Sequence, residues 1–171
     1  MRSDTIIEYP DERLRQPSAA VAEFGSSLAE LEERLVHTLH HSGGIGLCAP
    51  QLGVAQRVIL VNTDEDGTQL YVNPEILSKA GLGVVAESCL SLPGIEANVL
   101  RAAGVCVRAQ DTEGKTFERE IQGMHAVCIQ HEIDHLNGVL FIDRLFWFQK
   151  LRLRQATRHL ELAATESHIP A

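Results

Sequence analysis

The segment QHEIDHLNGVLF (residues 130–141) contains two histidines four positions apart, with a glutamate directly after the first of them. On a helix, residues four apart lie one above the other on one face, so both imidazoles can reach the same metal ion. Glu132 then lies beside the ion without binding it, which is where a general base takes a proton from water polarised by the metal. The spacing of His131, Glu132 and His135 therefore predicts a hydrolytic metal site.

A third protein ligand has to come from elsewhere in the chain, and the residues alone leave several candidates. One class of zinc peptidases continues the motif to a third histidine, and this chain has Phe141 at that position, which excludes the class. A downstream glutamate is another solution, and Glu161 is a candidate, although it lies in a basic segment. Cys89 is favoured, because the sequence ESCLSLPG places it outside any apolar pattern. The remaining cysteines are predicted to be core or loop residues: Cys48, Cys106 and Cys128.

The composition of the chain suits one compact domain, which we expect to span residues 1–171, because 44% of the residues are hydrophobic. The N-terminal residues lack the apolar core of an export signal, and no segment is long enough to cross a membrane. We therefore expect a cytoplasmic protein without membrane contact. The formal net charge of −8 argues against a DNA-coating protein. The charge is uneven, since residues 144–160 contain basic side chains and no acidic one.

Hydrophobic periodicity predicts the elements that precede the metal-binding segment. Residues 26–44 read as a helix with a leucine stripe on one face, a capping box formed by Ser27 and Glu30, and an end at Gly43. Short runs rich in β-branched residues predict strands at 57–62, 69–73 and 104–110.

Two further helices are predicted in the C-terminal third. Residues 123–138 are apolar nearly all round in their first half, so this helix should be central and buried, with Gly138 near its end. Met124 is expected on the same inward-facing stripe as the two histidines. The last helix, from about residue 146 to 164, combines leucines with basic residues.

Three segments, in this order and at these separations, resemble the signature motifs of peptide deformylases: GGIGLCAPQLG (43–53), ESCLS (87–91) and QHEIDHLNG (130–138). The segment IIEYPDERLR near the N-terminus is also similar, so the resemblance extends from about Ile6 to Leu145. It implies that the metal ligands are Cys89, His131 and His135, with Glu132 carrying the proton. It also implies an α+β fold, with small mixed or antiparallel sheets packed around the central metal-binding helix and a C-terminal helix.

The activity implied by the resemblance is removal of the N-formyl group from formylmethionine at the N-terminus of newly made proteins, with release of formate. The Gln51 side chain and the Leu90 backbone N–H are implied as donors to the oxyanion. Gly46 is implied to offer backbone groups to the substrate, and Ile45 to line the pocket for the methionine side chain. Two alternatives are a metal-binding deformylase-like protein with altered or no activity, and a metallopeptidase that shares the His-Glu-x-x-His motif.

The cofactor and partners also follow from the resemblance. It implies one divalent metal ion, with Fe(II) as the natural ion, while a thiolate with two imidazoles also suits Zn, Ni or Co. The implied partners are formylmethionyl nascent peptides. The basic C-terminal helix predicts in addition a contact with ribosomal RNA or protein near the emerging chain.

The chain departs from the family pattern at three positions. Ser88 replaces a glycine of the second motif, Cys48 replaces an alanine of the first, and Glu96 lies where several members have a basic or aromatic residue that contacts substrate. None of these removes a ligand or the base, so they bear on substrate binding. A glycine at position 88 would indicate either left-handed backbone or space for substrate. Glu87 and Arg101 are expected to pair and to brace the segment that carries the cysteine ligand.

Overall fold

The computed structural model describes residues 4–63 and 67–166. Within these ranges it contains three α-helices and seven β-strands, and every strand pairing in its two sheets is antiparallel. The predicted α+β fold is therefore confirmed. The expected domain of residues 1–171 also includes 1–3, 64–66 and 167–171, which lie outside the described residues. Among the described helices, none has the length and apolar character that crossing a membrane requires.

The larger sheet has the strand order β1-β2-β3-β6-β7 in the described part of the chain. Its strands are β1 (Gly46–Cys48), β2 (Val58–Thr63), β3 (Gly67–Ala80), β6 (Gly104–Gln110) and β7 (Thr116–Gln122). The three predicted strands correspond to β2, β3 and β6, and β3 is much longer than predicted because it continues past Pro74 with an irregular register against β6. β1 and β7 were not predicted, since β1 has three residues and β7 is mostly polar.

The smaller sheet is a hairpin of β4 (Gly83–Cys89) and β5 (Leu92–Arg101), which the sequence patterns did not predict. Its outward face carries exposed apolar side chains such as Val84 and Leu100, so the alternation of polar and apolar residues is weak. The inward face joins a hydrophobic cluster with Phe141 and Leu145. A register shift between Ser88 and Cys89 ends β4, so the cysteine ligand candidate lies at an irregular point of the hairpin.

Helix α1 (Ser26–Ser42) packs its leucine stripe against the larger sheet, as predicted, and Gly43 ends the helix with a φ of 70°. The predicted capping box is wrong. The N-cap is Gly25, two residues before Ser27, and the helix begins at Ser26, so the Ser27 side chain already lies inside the first turn and makes no capping hydrogen bond.

Helix α2 (Gly123–Leu136) lies across the larger sheet and is buried from His125 to Leu136, as its apolar first half predicted. The helix ends as expected, because Gly138 adopts a φ of 71° two residues after the last helical residue. The interior position predicted for Met124 is wrong. This side chain is 53% exposed, because it lies in the first turn, at the rim of a surface cleft.

Helix α3 (Trp147–Glu166) agrees with the predicted C-terminal helix within two residues at either end. Leu153 and Leu160 pack against the cluster that includes Phe141, while Leu151 and Leu162 are exposed. The Gln149 amide donates a hydrogen bond of 2.8 Å to the Asn98 carbonyl of β5. The helix is therefore attached along one side and leaves its basic side open to solvent.

Candidate metal centre

The fold brings together three side chains that are typical metal ligands. Cys89 ends β4, and His131 and His135 lie one turn apart on α2. One ligand atom from each residue lies within 4.8 Å of the other two, and all three residues are buried. The Cys89 Sγ atom is 3.2 Å from Nε2 of His135. The two imidazole rings are 5.0 Å apart between centroids, as expected for residues on successive turns of one face.

The orientation of the first imidazole is fixed by an acidic neighbour. Nδ1 of His131 is 2.9 Å from Oε2 of Glu87, a residue of β4 that is almost completely buried. This hydrogen bond keeps the proton on Nδ1 and leaves Nε2 as the nitrogen with a free lone pair. A carboxylate that holds the far nitrogen of a histidine is typical of metal ligands, because it orients the ring and makes it a stronger donor.

The expected pair of Glu87 and Arg101 is confirmed, and it is part of a larger network. Arg101 donates to both oxygens of Glu87, at 2.6 and 3.0 Å, and to Oδ2 of Asp134 at 2.6 Å. Burial would raise the pKa of Glu87, but the hydrogen bonds from His131 and Arg101 outweigh this and lower the pKa to about 2. The carboxylate next to the imidazole is therefore charged at neutral pH.

Glu132 lies on the same side of α2 as the ligand candidates and is 3% exposed. Its Oε2 atom is buried and has no hydrogen-bond partner among the described residues. Burial raises the pKa of this carboxyl group, and the nearby Cys48 thiol donates to Oε1 of Gln51 at 3.2 Å. A buried carboxylate with an unused oxygen beside three metal-ligand candidates is suited to exchange a proton with a reacting molecule.

Gly46 allows this carboxylate to approach the glycine-rich segment closely. A Cβ atom at this position would lie 2.6 Å from Oε1 of Glu132 and would also collide with Sγ of Cys128. A side chain there would have to displace the Cys128 thiol and the Glu132 carboxyl group. Cys128 is buried, as predicted, and its thiol donates to the Ile45 carbonyl at 3.6 Å.

The Gln51 side chain is held in one orientation beside the cysteine. Its Oε1 accepts a hydrogen bond of 3.0 Å from the Cys48 backbone N–H. Its Nε2 donates to Oγ of Ser91 at 3.1 Å and lies 3.8 Å from Sγ of Cys89. The amide N–H groups therefore point towards the ligand candidates, and Cys48 contributes to the site through its backbone as well as its thiol.

A cleft of about 510 Å³ gives access to these groups from the surface. One wall is the segment of residues 42–46, in which Ile45 is 44% exposed. The opposite wall comes from residues 86–90 and includes Leu90 and Ser88, while α2 forms the floor with His131 and Glu132. The side chains proposed from the sequence for ligation, proton transfer and substrate contact thus converge on one site.

The alternative third ligand, Glu161, is not supported by the structure, and Phe141 has a packing role. Glu161 lies on α3 and accepts a hydrogen bond of 2.6 Å from the Tyr9 hydroxyl, away from the histidines. Phe141, which replaces the third histidine of another peptidase class, stacks on His131 with ring centroids 6.0 Å apart. The candidate ligand set is therefore one thiolate and two imidazoles, which fits a divalent transition metal such as Fe(II), Zn, Ni or Co.

An α+β fold in which a His-Glu-x-x-His helix meets a cysteine from a neighbouring hairpin defines a metal-dependent hydrolase. Comparison with known proteins gives the family. The model of the polypeptide deformylase family matches residues 3–150 of the chain. The peptide deformylase of Hydrogenovibrio crunogenus is 46% identical over 152 residues, which cover 88% of this chain and 90% of that protein. The peptide deformylase of Alkalilimnicola ehrlichii is 42% identical over 158 residues, which cover 91% and 89%.

Solved structures agree with these relatives. A peptide deformylase from Legionella pneumophila matches with a TM-score of 0.86 and 37% identity, covering 99% of this chain and 100% of that one. A plant peptide deformylase matches with a TM-score of 0.93 and 33% identity, covering 100% and 96%. The chain belongs to the polypeptide deformylase family, whose members are metal-dependent hydrolases. The resemblance to peptide deformylases is thereby confirmed, and the alternative of a metallopeptidase that shares the His-Glu-x-x-His motif is not favoured.

The sequence reasoning missed several residues that support the site. Asp134 lies inside the motif, but a polar residue on a helix normally faces solvent, and nothing in the pattern shows that it is buried. Cys48 holds Gln51 from three residues away in the same motif, whereas Ser91 becomes a neighbour of Gln51 only through the fold. The one available signal was the position of Asp134 between Glu132 and His135 on a helix predicted to be buried all round.

Proposed function

We propose that Cys89, His131 and His135 together hold one divalent metal ion. The observation that carries this proposal is the convergence of their ligand atoms within 4.8 Å in a buried position open to the cleft. The hydrogen bond from His131 to Glu87 supports it, because it leaves the opposite nitrogen free to ligate. This is the only such group of three metal-ligating residues in residues 4–63 and 67–166.

The reaction is hydrolysis of the formamide at the N-terminus of a formylmethionyl peptide, with formate as the product. When bound, the ion supplies Lewis acidity at the point where the formyl carbonyl meets water. Glu132 accepts a proton from the attacking water and returns it to the leaving amine. Two features of Glu132 support this role: its carboxyl group is buried beside the proposed ligands, and one of its oxygens has no hydrogen-bond partner among the described residues.

The oxyanion that develops on the formyl carbon receives hydrogen bonds from Nε2 of Gln51 and the backbone N–H of Leu90. The hydrogen bonds that fix Gln51 to Cys48 and Ser91 support this role, because a donor already held in place needs little reorientation in the transition state. Leu90 follows Cys89 directly, so its amide is next to the proposed ligand.

The substrate peptide lies along the wall formed by Ile45 and Gly46. β1 is the edge strand of the larger sheet, so the strand side that faces away from β2 has backbone groups free to bind an extended peptide. Ile45 presents its exposed side chain to the cleft, where it lines the pocket for the methionine side chain. The contact of Gly46 with Glu132 brings the substrate backbone close to the proton carrier.

We take Fe(II) as the natural ion, with Zn, Ni and Co as ions that the same ligands accept, because one thiolate and two imidazoles suit all four. We further infer that residues 1–171 act as one catalytic domain in the cytoplasm.

The exposed basic side of α3 is proposed to contact the ribosome near the emerging nascent chain. Its exposed side chains Lys150, Arg152, Arg154 and Arg158 support this, whereas Arg144 is already paired with Asp134.

The experiment that tests the function is the release of formate from a formyl-Met-Ala peptide, measured together with metal content on one anaerobically purified sample. We expect stoichiometric metal and formate release that stops when a chelator removes the metal and returns when Fe(II) or Co(II) is added back. A protein that holds stoichiometric metal in the Cys89 site and releases no formate would contradict deformylase activity and would favour a deformylase-like protein of altered activity.

A further inference from the structure

A continuous set of ion pairs connects the metal-ligand candidate His131 with the turn that precedes α3. It consists of Glu87, Arg101, Asp134 and Arg144, and we call these four residues the Arg144 network. Arg101 bonds Glu87 and Asp134, and Arg144 donates to Oδ1 of Asp134 at 2.6 Å and to Oδ2 at 3.1 Å. Two carboxylates face two guanidiniums, so the network is neutral as a whole.

Burial changes along this network. Glu87, Arg101 and Asp134 are 6%, 5% and 6% exposed, whereas the Arg144 side chain is 49% exposed. Arg144 is therefore the only member that reaches solvent, and it ends the short 3-10 turn Phe141–Arg144 that leads into α3. The inner members are almost completely buried, so the charge of each is balanced mainly by its neighbours in the network and their arrangements depend on one another.

We propose that Arg144 is a positioning residue for the metal ligand His131. Two carboxylate oxygens, one on Glu87 and one on Asp134, each accept hydrogen bonds from two side chains and so link Arg144 to His131. Oε2 of Glu87 accepts from Nδ1 of His131 at 2.9 Å and from Nη2 of Arg101 at 3.0 Å. Any movement of the Arg101 guanidinium therefore changes both the position of this Glu87 oxygen and how far its negative charge is balanced, and this oxygen holds the imidazole.

Arg144 controls that movement through Asp134. Oδ2 of Asp134 is shared by Arg101 and Arg144, and Arg144 is the partner of Oδ1. Without Arg144, the Asp134 carboxylate keeps one cation instead of two, turns towards Arg101 and draws the guanidinium away from Glu87. The network also becomes negative, and an uncompensated charge in a buried network acts strongly on its neighbours. The imidazole of His131 then loses its fixed orientation as a metal ligand.

Arg144 is a suitable position for a test because its half-exposed side chain leaves no core cavity when it is replaced. The experiment compares the full chain with Arg144→Gln, which removes the charge, and Arg144→Lys, which keeps it. A matched control is Arg108→Gln, which breaks the exposed ion pair of Arg108 with Glu118 on the larger sheet. All four proteins are loaded with Co(II), and two properties are measured: the visible absorption spectrum, and the rate at which a chelator removes the metal.

We expect Arg144→Gln to shift the Co(II) spectrum and to release the metal about tenfold faster, within the range for lost partners of metal ligands. Arg144→Lys should restore most of the slow release, and Arg108→Gln should match the unaltered protein. The inference rests on the proposed ligand set. A fall in melting temperature of Arg144→Gln with an unchanged spectrum and release rate would overturn it, because Arg144 would then act on stability alone. Absence of a thiolate-to-Co(II) band in the unaltered protein would instead overturn the ligand set itself.

Discussion

At the scale of single residues, the site depends on the lack of a side chain at Gly46. Glu132 reaches the glycine-rich wall of the cleft only because Gly46 has no Cβ atom, which would lie 2.6 Å from its Oε1. The same wall carries Ile45, so the proposed proton carrier and the proposed substrate-contacting residue lie next to each other at the start of β1. Close approach, rather than a special backbone conformation, is therefore the reason for glycine here.

Ser88 is the departure from the family pattern that lies nearest to the proposed ligands. Of the two reasons for a glycine at this position, left-handed backbone does not apply, because Asn73 is the only non-glycine residue with positive φ among the described residues and Ser88 lies in the extended strand β4. Its exposed side chain still lines the cleft, so the effect that remains is on the space for substrate.

We predict that Ser88→Gly lowers KM for a formylmethionyl peptide several-fold, with kcat and metal content unchanged. The same change should lower the free energy of unfolding by about 0.5–1 kcal/mol, because glycine loses more conformational freedom in a strand. Steady-state kinetics and denaturant unfolding, with both proteins loaded with the same metal, measure the two effects.

Ser78→Gly is a matched control, since Ser78 is an exposed strand serine on the other sheet. It should share the loss of stability and leave KM as it is. An unchanged or higher KM in Ser88→Gly would mean that the cleft already accommodates the serine.

The sequence pointed to the candidate ligands, the candidate base and one supporting pair, Glu87 and Arg101, but not to the other contacts that hold these side chains. His131, Glu132 and His135 are recognisable because their spacing is local, and Cys89 and Gln51 because they belong to motifs that resemble a known family. The partners of these residues lie far away in sequence. Glu87 is 44 residues from the histidine it holds, and Ser91 is 40 residues from Gln51. Such contacts follow from the fold and leave no periodic signal in the chain.

At the scale of elements, the hairpin of β4 and β5 has the decisive position and was the element that hydrophobic pattern did not reveal. Its inner face carries Glu87 and Cys89 to helix α2, while exposed apolar residues on its outer face hide the alternation typical of a strand. α2 was predicted well because its first half is apolar nearly all round, as expected for a buried helix.

The attachment of α3 depends on a contact with the N-terminal segment. The Tyr9 hydroxyl donates to Oε1 of Glu161 at 2.6 Å, and burial together with this hydrogen bond raises the pKa of Tyr9 to about 12. We predict that Tyr9→Phe weakens the docking of α3 by about 1 kcal/mol, the usual size of one hydrogen bond, and leaves metal content unchanged. Faster amide hydrogen exchange in α3, with α1 as the internal reference, measures this effect.

The pH dependence of this contact has a defined sign. The folded protein favours the protonated phenol, so the stabilisation is complete below about pH 10, the ordinary pKa of tyrosine, and is lost as the pH rises towards 12. The difference in exchange between the unaltered protein and Tyr9→Phe should therefore disappear over this interval. Equal exchange in α3 of both proteins at neutral pH would show that the leucine contacts hold the helix without Tyr9.

At the scale of the whole molecule, charge is separated between the body and the last helix. The chain has a formal net charge of −8, yet the solvent side of α3 is basic and also exposes Trp147 and Leu151. An acidic body is repelled by ribosomal RNA, so a basic helix can set the orientation in which the protein approaches it. Arg144 lies in the same segment of sequence but belongs to the ligand-supporting network, so it does not contribute a free charge.

We predict that replacing three basic residues of α3 with glutamine abolishes co-sedimentation with ribosomes at low salt: Lys150, Arg152 and Arg158. The physical reason is that the association depends on local positive charge, which salt screens over about 10 Å at 0.1 M. Co-sedimentation of the unaltered protein should itself weaken as salt is raised.

A control variant changes the net charge by the same amount on exposed residues of the larger sheet and its loop: Lys79, Lys115 and Arg119. This variant should still co-sediment. If the α3 variant binds as well as the unaltered protein, or if both variants lose binding equally, the basic side of α3 is an ordinary solvated helix face.

The central claim is that Cys89, His131 and His135 hold the metal ion and that Glu132 acts beside it as the general base. The most direct test measures the metal content and the formate release of two variants prepared in the same way. Glu132→Gln should retain one equivalent of metal and lose activity by a factor on the order of 10²–10⁴, the usual contribution of a general base. Cys89→Ala should lose both metal and activity. Stoichiometric metal in Cys89→Ala, or full activity in Glu132→Gln, would contradict the account.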